Sequence, residues 1–187
     1  MSHRAPWECT FAKEQRSRCL PGKKPRTDHK YFEVLSLCIL QAGLSWASVR
    51  RSWLRYRSAF LDFEIAKLAH ATPAALLRRP GALRNRKKVA ALVANAQEFE
   101  RIRAEHGTFA RYLRTVKSDK DACTILQERF RHVGPYTAEF YLHSVGRSVY
   151  GSGTAPPNKR MQPTTSQVIK FACANLPPVW RAADAWR

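Results

Sequence analysis

Phe130-Arg131-His132-Val133-Gly134-Pro135-Tyr136-Thr137-Ala138 lies between two segments with helical apolar spacing, Cys123, Leu126 and Phe130 before it and Tyr141, Leu142 and Val145 after it. A glycine followed by proline at the first helical position makes a tight hairpin between two helices. The opening amides of a helix have no internal acceptor, so the second helix presents free N–H groups outward, together with the positive end of its dipole. Such an end is a natural seat for a phosphate. The same residues also fit an ordinary corner between two helices, and the hairpin alone does not separate the two readings.

Outward from this hairpin the chain reads as helix after helix. Phe32, Leu35, Ile39 and Leu40 form one stripe from about Lys30. After the break at Gly43 a second stripe runs through Trp46, Val49, Trp53, Tyr56 and Phe60. Asp62 is expected to cap a short helix through Ile65, Leu68 and Ala69, and Thr72 before Pro73 starts another through Leu76 and Leu77. Pro80 and Gly81 close it. Val89, Leu92, Val93, Ala96, Phe99 and Ile102 then mark a long amphipathic helix that stops near Gly107, and Phe109, Tyr112, Leu113 and Val116 continue the pattern. No segment before residue 147 alternates strictly with β-branched enrichment, so the fold class is all-α.

Three regions follow. Residues 1–29 are basic and interrupted by Pro6, Pro21, Gly22 and Pro25, which reads as a loosely ordered arm. Residues 30–146 form the helical domain, with its hairpin near 131–138. Residues 147–187 are a tail of different character, poor in apolar residues up to Thr165 and with a short helix expected at 166–175. Within it, Pro157-Asn158-Lys159-Arg160-Met161-Gln162-Pro163-Thr164 looks like a translated recombination-site sequence, as if the tail had replaced an earlier C-terminus.

Charge narrows the partners. The 187 residues carry 33 Lys and Arg against 14 Asp and Glu, a net +19, so a polyanion is the natural partner, nucleic acid before an anionic membrane surface. No stretch approaches the roughly 20 apolar residues of a membrane span, and the first residues lack a secretory apolar run. A cytoplasmic protein without membrane attachment is expected. Five cysteines, Cys9, Cys19, Cys38, Cys123 and Cys173, contain no C-x-x-C pair and fit reduced thiols.

Four blocks then stand in order. They are Tyr31-Phe32-Glu33; Leu40-Gln41-Ala42-Gly43-Leu44-Ser45-Trp46; Phe60-Leu61-Asp62-Phe63-Glu64; and Leu83-Arg84-Asn85-Arg86-Lys87-Lys88-Val89 with Ala94-Asn95-Ala96. In content, order and spacing this arrangement, over residues 30–146, resembles the 3-methyladenine DNA glycosylase I family of the helix-hairpin-helix DNA glycosylase superfamily. The resemblance implies a monomeric base-excision repair hydrolase acting on double-stranded DNA that contains alkylated bases. A damaged nucleotide is flipped into an aromatic-lined pocket, where the N-glycosidic bond of 3-methyladenine is hydrolysed. A cationic methylated purine leaves readily and stacks well on electron-rich rings, so selective binding supplies much of the catalysis.

The resemblance makes Trp46 the stacking residue, although its place on the Val49 and Trp53 stripe also suits a core tryptophan. Gln41 and Ser45 stand at the pocket wall or cap helices. Gly134, Tyr136 and Thr137 of the hairpin, with Arg84, Arg86 and Lys88 at a helix start, are expected to hold DNA phosphates. Arg50, Arg51, Arg55 and Arg57 extend the basic surface. Glu33 matches a family acid and is the candidate for electrostatic help to an oxocarbenium-like sugar, or else caps its helix.

The pattern also departs from the family. Cys38 occupies the position of an acid that contacts the flipped base, and a thiol accepts hydrogen bonds poorly. The family's N-terminal Tyr-His-Asp block is missing. Its zinc joins Cys and His near both ends, but no His follows His143, so no metal and no cofactor are expected here. Tyr136 stands where lyase-type relatives carry a lysine, which argues against lyase activity. These departures leave a second reading, a catalytically impaired DNA-binding relic of such a glycosylase.

Overall fold

The structure, a computed structural model, describes residues 5–9 and 20–149; the expected tail helix at 166–175, Cys19 and Cys173 lie outside the described residues. Everything regular within them is helical. The elements are α1 (Asp28–Gln41), α2 (Trp46–Ala59), α3 (Ile65–Ala69), α4 (Pro73–Arg78), α5 (Arg86–His106), α6 (Phe109–Thr115), α7 (Asp119–Arg129) and α8 (Pro135–Ser144), with 3-10 turns at Pro6–Glu8 and Leu61–Phe63.

Local chemistry sets most of the starts. Thr27, Ser45, Thr72, Asn85, Thr108 and Ser118 each accept a first-turn amide with the side-chain oxygen, in front of α1, α2, α4, α5, α6 and α7. Gly107 ends α5 at φ 78°, a conformation that costs glycine little. One expectation fails here. Asp62 does not cap α3, whose N-cap is Glu64; it sits left-handed at φ 53° between Leu61 and Phe63, also left-handed, and pairs with Arg57 at 3.3 Å.

Helix α1 is apolar on nearly every side and runs through the core, with Phe32, Leu35, Leu37, Ile39 and Leu40 fully buried. Helix α5 packs against α1, α3, α4 and α6, while α8 packs against α1 and α7. An aromatic knot joins them. The Phe99 ring centroid lies 4.4 Å from Phe109, 5.2 Å from Phe32 and 5.6 Å from Phe130. Above it, buried Glu98 ties α5 to α7 by pairing with Arg129 at 2.5 Å, whose guanidinium lies over the Tyr112 ring.

Residues 5–9 of the N-terminal segment are seated on the helices. Ala5, Trp7 and Cys9 are buried, the Pro6–Glu8 turn packs against α1 and α2, and Trp7 meets Trp53 edge to face at 5.9 Å. Farther on, the Gly22 amide donates to the His143 carbonyl at 2.8 Å, which fastens residues before α1 to the end of α8. Prolines and basic residues hid this seat, because its anchors are isolated apolar side chains without periodicity. At the other end Arg147 pairs with Asp119 at 2.8 Å and also donates to the carbonyls of Leu113, Val116 and Lys117.

Candidate functional site

Three rings make one wall. Trp46, at the first position of α2, is half-buried, with its ring centroid 5.3 Å from Phe140 of α8 and tilted 40°. Phe140 in turn stacks on Tyr136, one turn earlier, at 6.1 Å and 7°. Trp46 is therefore neither an exposed ring nor a central core residue: it is partly buried, packed against the core and supported by Phe140 of α8. Phe140 was missed in the sequence, yet its place four residues after Tyr136 puts the two on one helical face.

Behind Tyr136 lie thiols. Burial first, then the neighbouring Cys38 and Cys9, push the Tyr136 hydroxyl up to about 12. Cys38 is buried on α1, and burial together with Cys9 drives its thiol far above the ordinary range. It stays protonated and neutral, so this part of the wall carries no anion. The position of Cys9 beside Cys38 had no signal in the sequence. Among the described residues no group of three or more His, Cys, Asp or Glu side chains is placed to hold a metal ion.

The turn that presents Trp46 is braced from within. Gln41 is buried and donates from Nε2 to the Leu44 carbonyl at 2.7 Å, while the Leu44 amide donates to the Gln41 carbonyl at 2.6 Å. Gln41 thus serves the shape of the wall rather than facing outward. Ser45 is the N-cap of α2, its Oγ accepting the Ser48 amide at 3.2 Å. Of the two roles open to Ser45, the structure has it capping.

The hairpin is held by a residue far from it in sequence. Asn95, buried in α5, accepts the Arg131 amide through Oδ1 at 2.7 Å and donates from Nδ2 to the Arg131 carbonyl at 3.0 Å. Such a two-sided grip on backbone groups fixes both position and orientation of the turn. The left-handed residue is His132, at φ 61°, and not Gly134, whose φ of −88° suits any residue. A Cβ on Gly134 would meet nothing within 4 Å, so the glycine leaves open space outside the turn. Unlike the six helices with side-chain caps, α8 has none, and Pro135 has no N–H; the amides of Tyr136 and Thr137 are left for an outside acceptor.

Those amides are what the two residues offer, since the Tyr136 side chain is turned onto Phe140 and Thr137 is buried. Lys88 departs from expectation. It is 4% exposed, with its Nζ donating to the Leu40 carbonyl at 2.6 Å and the Ala42 carbonyl at 2.5 Å, and burial lowers its pKa to about 8. It is removed from any phosphate-facing surface. Arg84, Arg86 and Lys87 remain exposed, and Lys87 and Lys88 are close enough to His132 to lower its pKa, after burial as the main cause. The basic start of α5 therefore adjoins the hairpin. Arg50, Arg51 and Arg55 are exposed on α2.

Glu33 stands apart from all of this. It is buried, with Lys30 at 2.7 Å and Arg57 at 3.8 Å. Its carboxylate is thus engaged by two cations of the protein's own framework.

Residues 22–129 match the model of the methyladenine glycosylase family. The chain is similar to the DNA-3-methyladenine glycosylase of Haemophilus influenzae, 37% identical over 81 residues, 42% of this chain and 44% of that protein. It is also similar to DNA-3-methyladenine glycosylase 1 of Escherichia coli, 35% identical over 79 residues, 40% of this chain and 42% of that protein. The matched stretch spans less than half the length of either relative. Among solved structures, 3-methyladenine DNA glycosylase I from Staphylococcus aureus superposes with a TM-score of 0.59 at 25% identity, covering 78% of this chain and 88% of that one.

Proposed function

The chain belongs to the methyladenine glycosylase family, and from that premise we propose that it is a monofunctional DNA glycosylase that releases 3-methyladenine from alkylated double-stranded DNA, acting as a cytoplasmic monomer. The observation that carries this reading is the row of Trp46, Phe140 and Tyr136 rings standing beside a hairpin whose helix lacks any side-chain cap.

The chemistry follows from these parts. The amides of Tyr136 and Thr137 accept a backbone phosphate, and Arg84 and Arg86 add sequence-independent attraction. The flipped base lies against the Trp46 ring. A methylated purine cation gains from the ring quadrupole, and its positive charge already weakens the bond to the sugar. With Cys38 neutral, selectivity rests on ring faces rather than on a carboxylate. Lys88 is committed to two carbonyls and so is not free to attack the sugar, which fits hydrolysis without strand cleavage.

The test is release of free base from methylated duplex DNA by the purified chain. Release of 3-methyladenine supports the proposal; salt-sensitive DNA binding without release would make the chain a non-excising binder. A second measurement isolates the phosphate seat. Gly134→Asp places a carboxylate at the N-cap of α8, which stabilises that helix by a few tenths of a kcal/mol, roughly the preference of Asp over Gly there. The same carboxylate fills the anion seat. Thermal unfolding is expected to hold or rise while DNA affinity falls by at least ~10-fold, about the 1.4 kcal/mol of a charge-assisted hydrogen bond. Unchanged affinity in the folded variant would remove the hairpin from DNA binding.

A further inference from the structure

We infer that Lys88 is a positioning residue for base excision: by holding the Leu40 and Ala42 carbonyls it sets the peptide orientation of the turn that delivers Trp46 to the pocket. The inference rests on the glycosylase reading for its kinetic consequence, but its geometry stands independently.

The turn is Gln41-Ala42-Gly43-Leu44, closed by the Leu44 amide donating to the Gln41 carbonyl at 2.6 Å. Ala42 has φ −45° and ψ 115°, and Gly43 has φ 79°, the geometry of a type II turn with glycine at its third position. Types I and II differ by the orientation of the central peptide, here the one joining Ala42 to Gly43. Lys88 grips the carbonyl of that peptide at 2.5 Å. Because the peptide is trans, the Gly43 N–H then points away from Lys88, and a Cβ built on Gly43 would meet nothing within 4 Å.

A buried ammonium is costly unless its hydrogen bonds are met. Among the described residues Lys88 has no carboxylate partner; its acceptors are two carbonyls at the negative end of α1, 48 and 46 residues away in sequence. A cap alone does not require a charged side chain brought from 46 residues away to the partly buried Ala42. What the lysine adds is a fixed carbonyl direction at the one peptide whose flip would reshape the turn. It also joins this turn to the first turn of α5, whose outer side carries Arg86 and Lys87, so the phosphate-facing basic cluster and the pocket wall share one rigid support.

The experiment uses the full chain labelled with 5-fluorotryptophan, which has five tryptophans, with the Trp46 resonance assigned by its loss in Trp46→Phe. In Lys88→Met the Trp46 resonance is expected to move or broaden while the others hold. Single-turnover release of 3-methyladenine should fall by about 10- to 100-fold, the scale of an ångström-size misplacement, with DNA affinity within about twofold. Lys88→Gln, a shorter neutral donor, should recover part of both readouts, and it serves as the test if the methionine variant does not fold. An unmoved Trp46 resonance in a folded variant, or excision that falls only in step with DNA affinity, overturns the inference. If the unsubstituted chain releases no base, the glycosylase reading fails and the fluorine spectrum still decides the role of Lys88.

Discussion

Trp46→Ala is expected to lower release of 3-methyladenine by about 10- to 100-fold while DNA affinity changes by less than about threefold. Stacking of one base on an aromatic ring is worth about 1–3 kcal/mol, and each 1.4 kcal/mol corresponds to about tenfold. In the proposed mechanism the loss falls on excision, because there Trp46 meets the base only after flipping and initial binding is carried by hairpin amides and arginines. Part of the ring also supports the fold through Phe140 at 5.3 Å, and loss of that pair costs about 0.5–1.5 kcal/mol beyond its buried area. Single-turnover kinetics, a DNA titration and a thermal melt on the same preparation separate these effects. Equal excision by the two proteins would move the pocket elsewhere.

Phe99→Ala should produce the largest loss of stability, about 3–5 kcal/mol, against the roughly 5–15 kcal/mol that holds a domain of this size together. Phe99 is fully buried and touches rings from three directions: Phe32 on α1, Phe109 on α6 and Phe130 just ahead of the hairpin. Its neighbours belong to different helices and are fixed by their own contacts, so little collapse into the vacated space is expected. Urea unfolding followed by circular dichroism reads the midpoint directly. A change below about 1 kcal/mol would mean that the knot is loosely packed. DNA binding should weaken as well, because Phe130 leads into the turn that Asn95 holds through Arg131.

Much of the scaffold was legible because its signals are local. Thr72 before Pro73, Gly107 and Gly134 before Pro135 mark helix ends through groups within one turn of themselves. Asp62 misled for the same reason: it is a good cap by type, but the left-handed turn at Leu61–Phe63 turns it toward Arg57 instead. Trp46 was singled out through its place in a block of family residues, whereas its partner ring Phe140 came only with the packing of α8.

The four blocks and the apolar spacing were enough to establish an all-helical chain and its family. They did not say which members of a hydrophilic run face inward. Arg86, Lys87 and Lys88 are equivalent by composition, yet each residue advances a helix by about 100°, and only the third meets the carbonyl end of α1. The outward N–H groups at the start of α8 were read from Gly134-Pro135, but that the Tyr136 and Thr137 side chains turn away from solvent came only with the packing of α8. Caps and periodicity are set by near neighbours in the chain, and so the sequence determined them. The direction of a buried polar side chain is set by an acceptor 46 or more residues away, and only the tertiary structure brings that acceptor into reach.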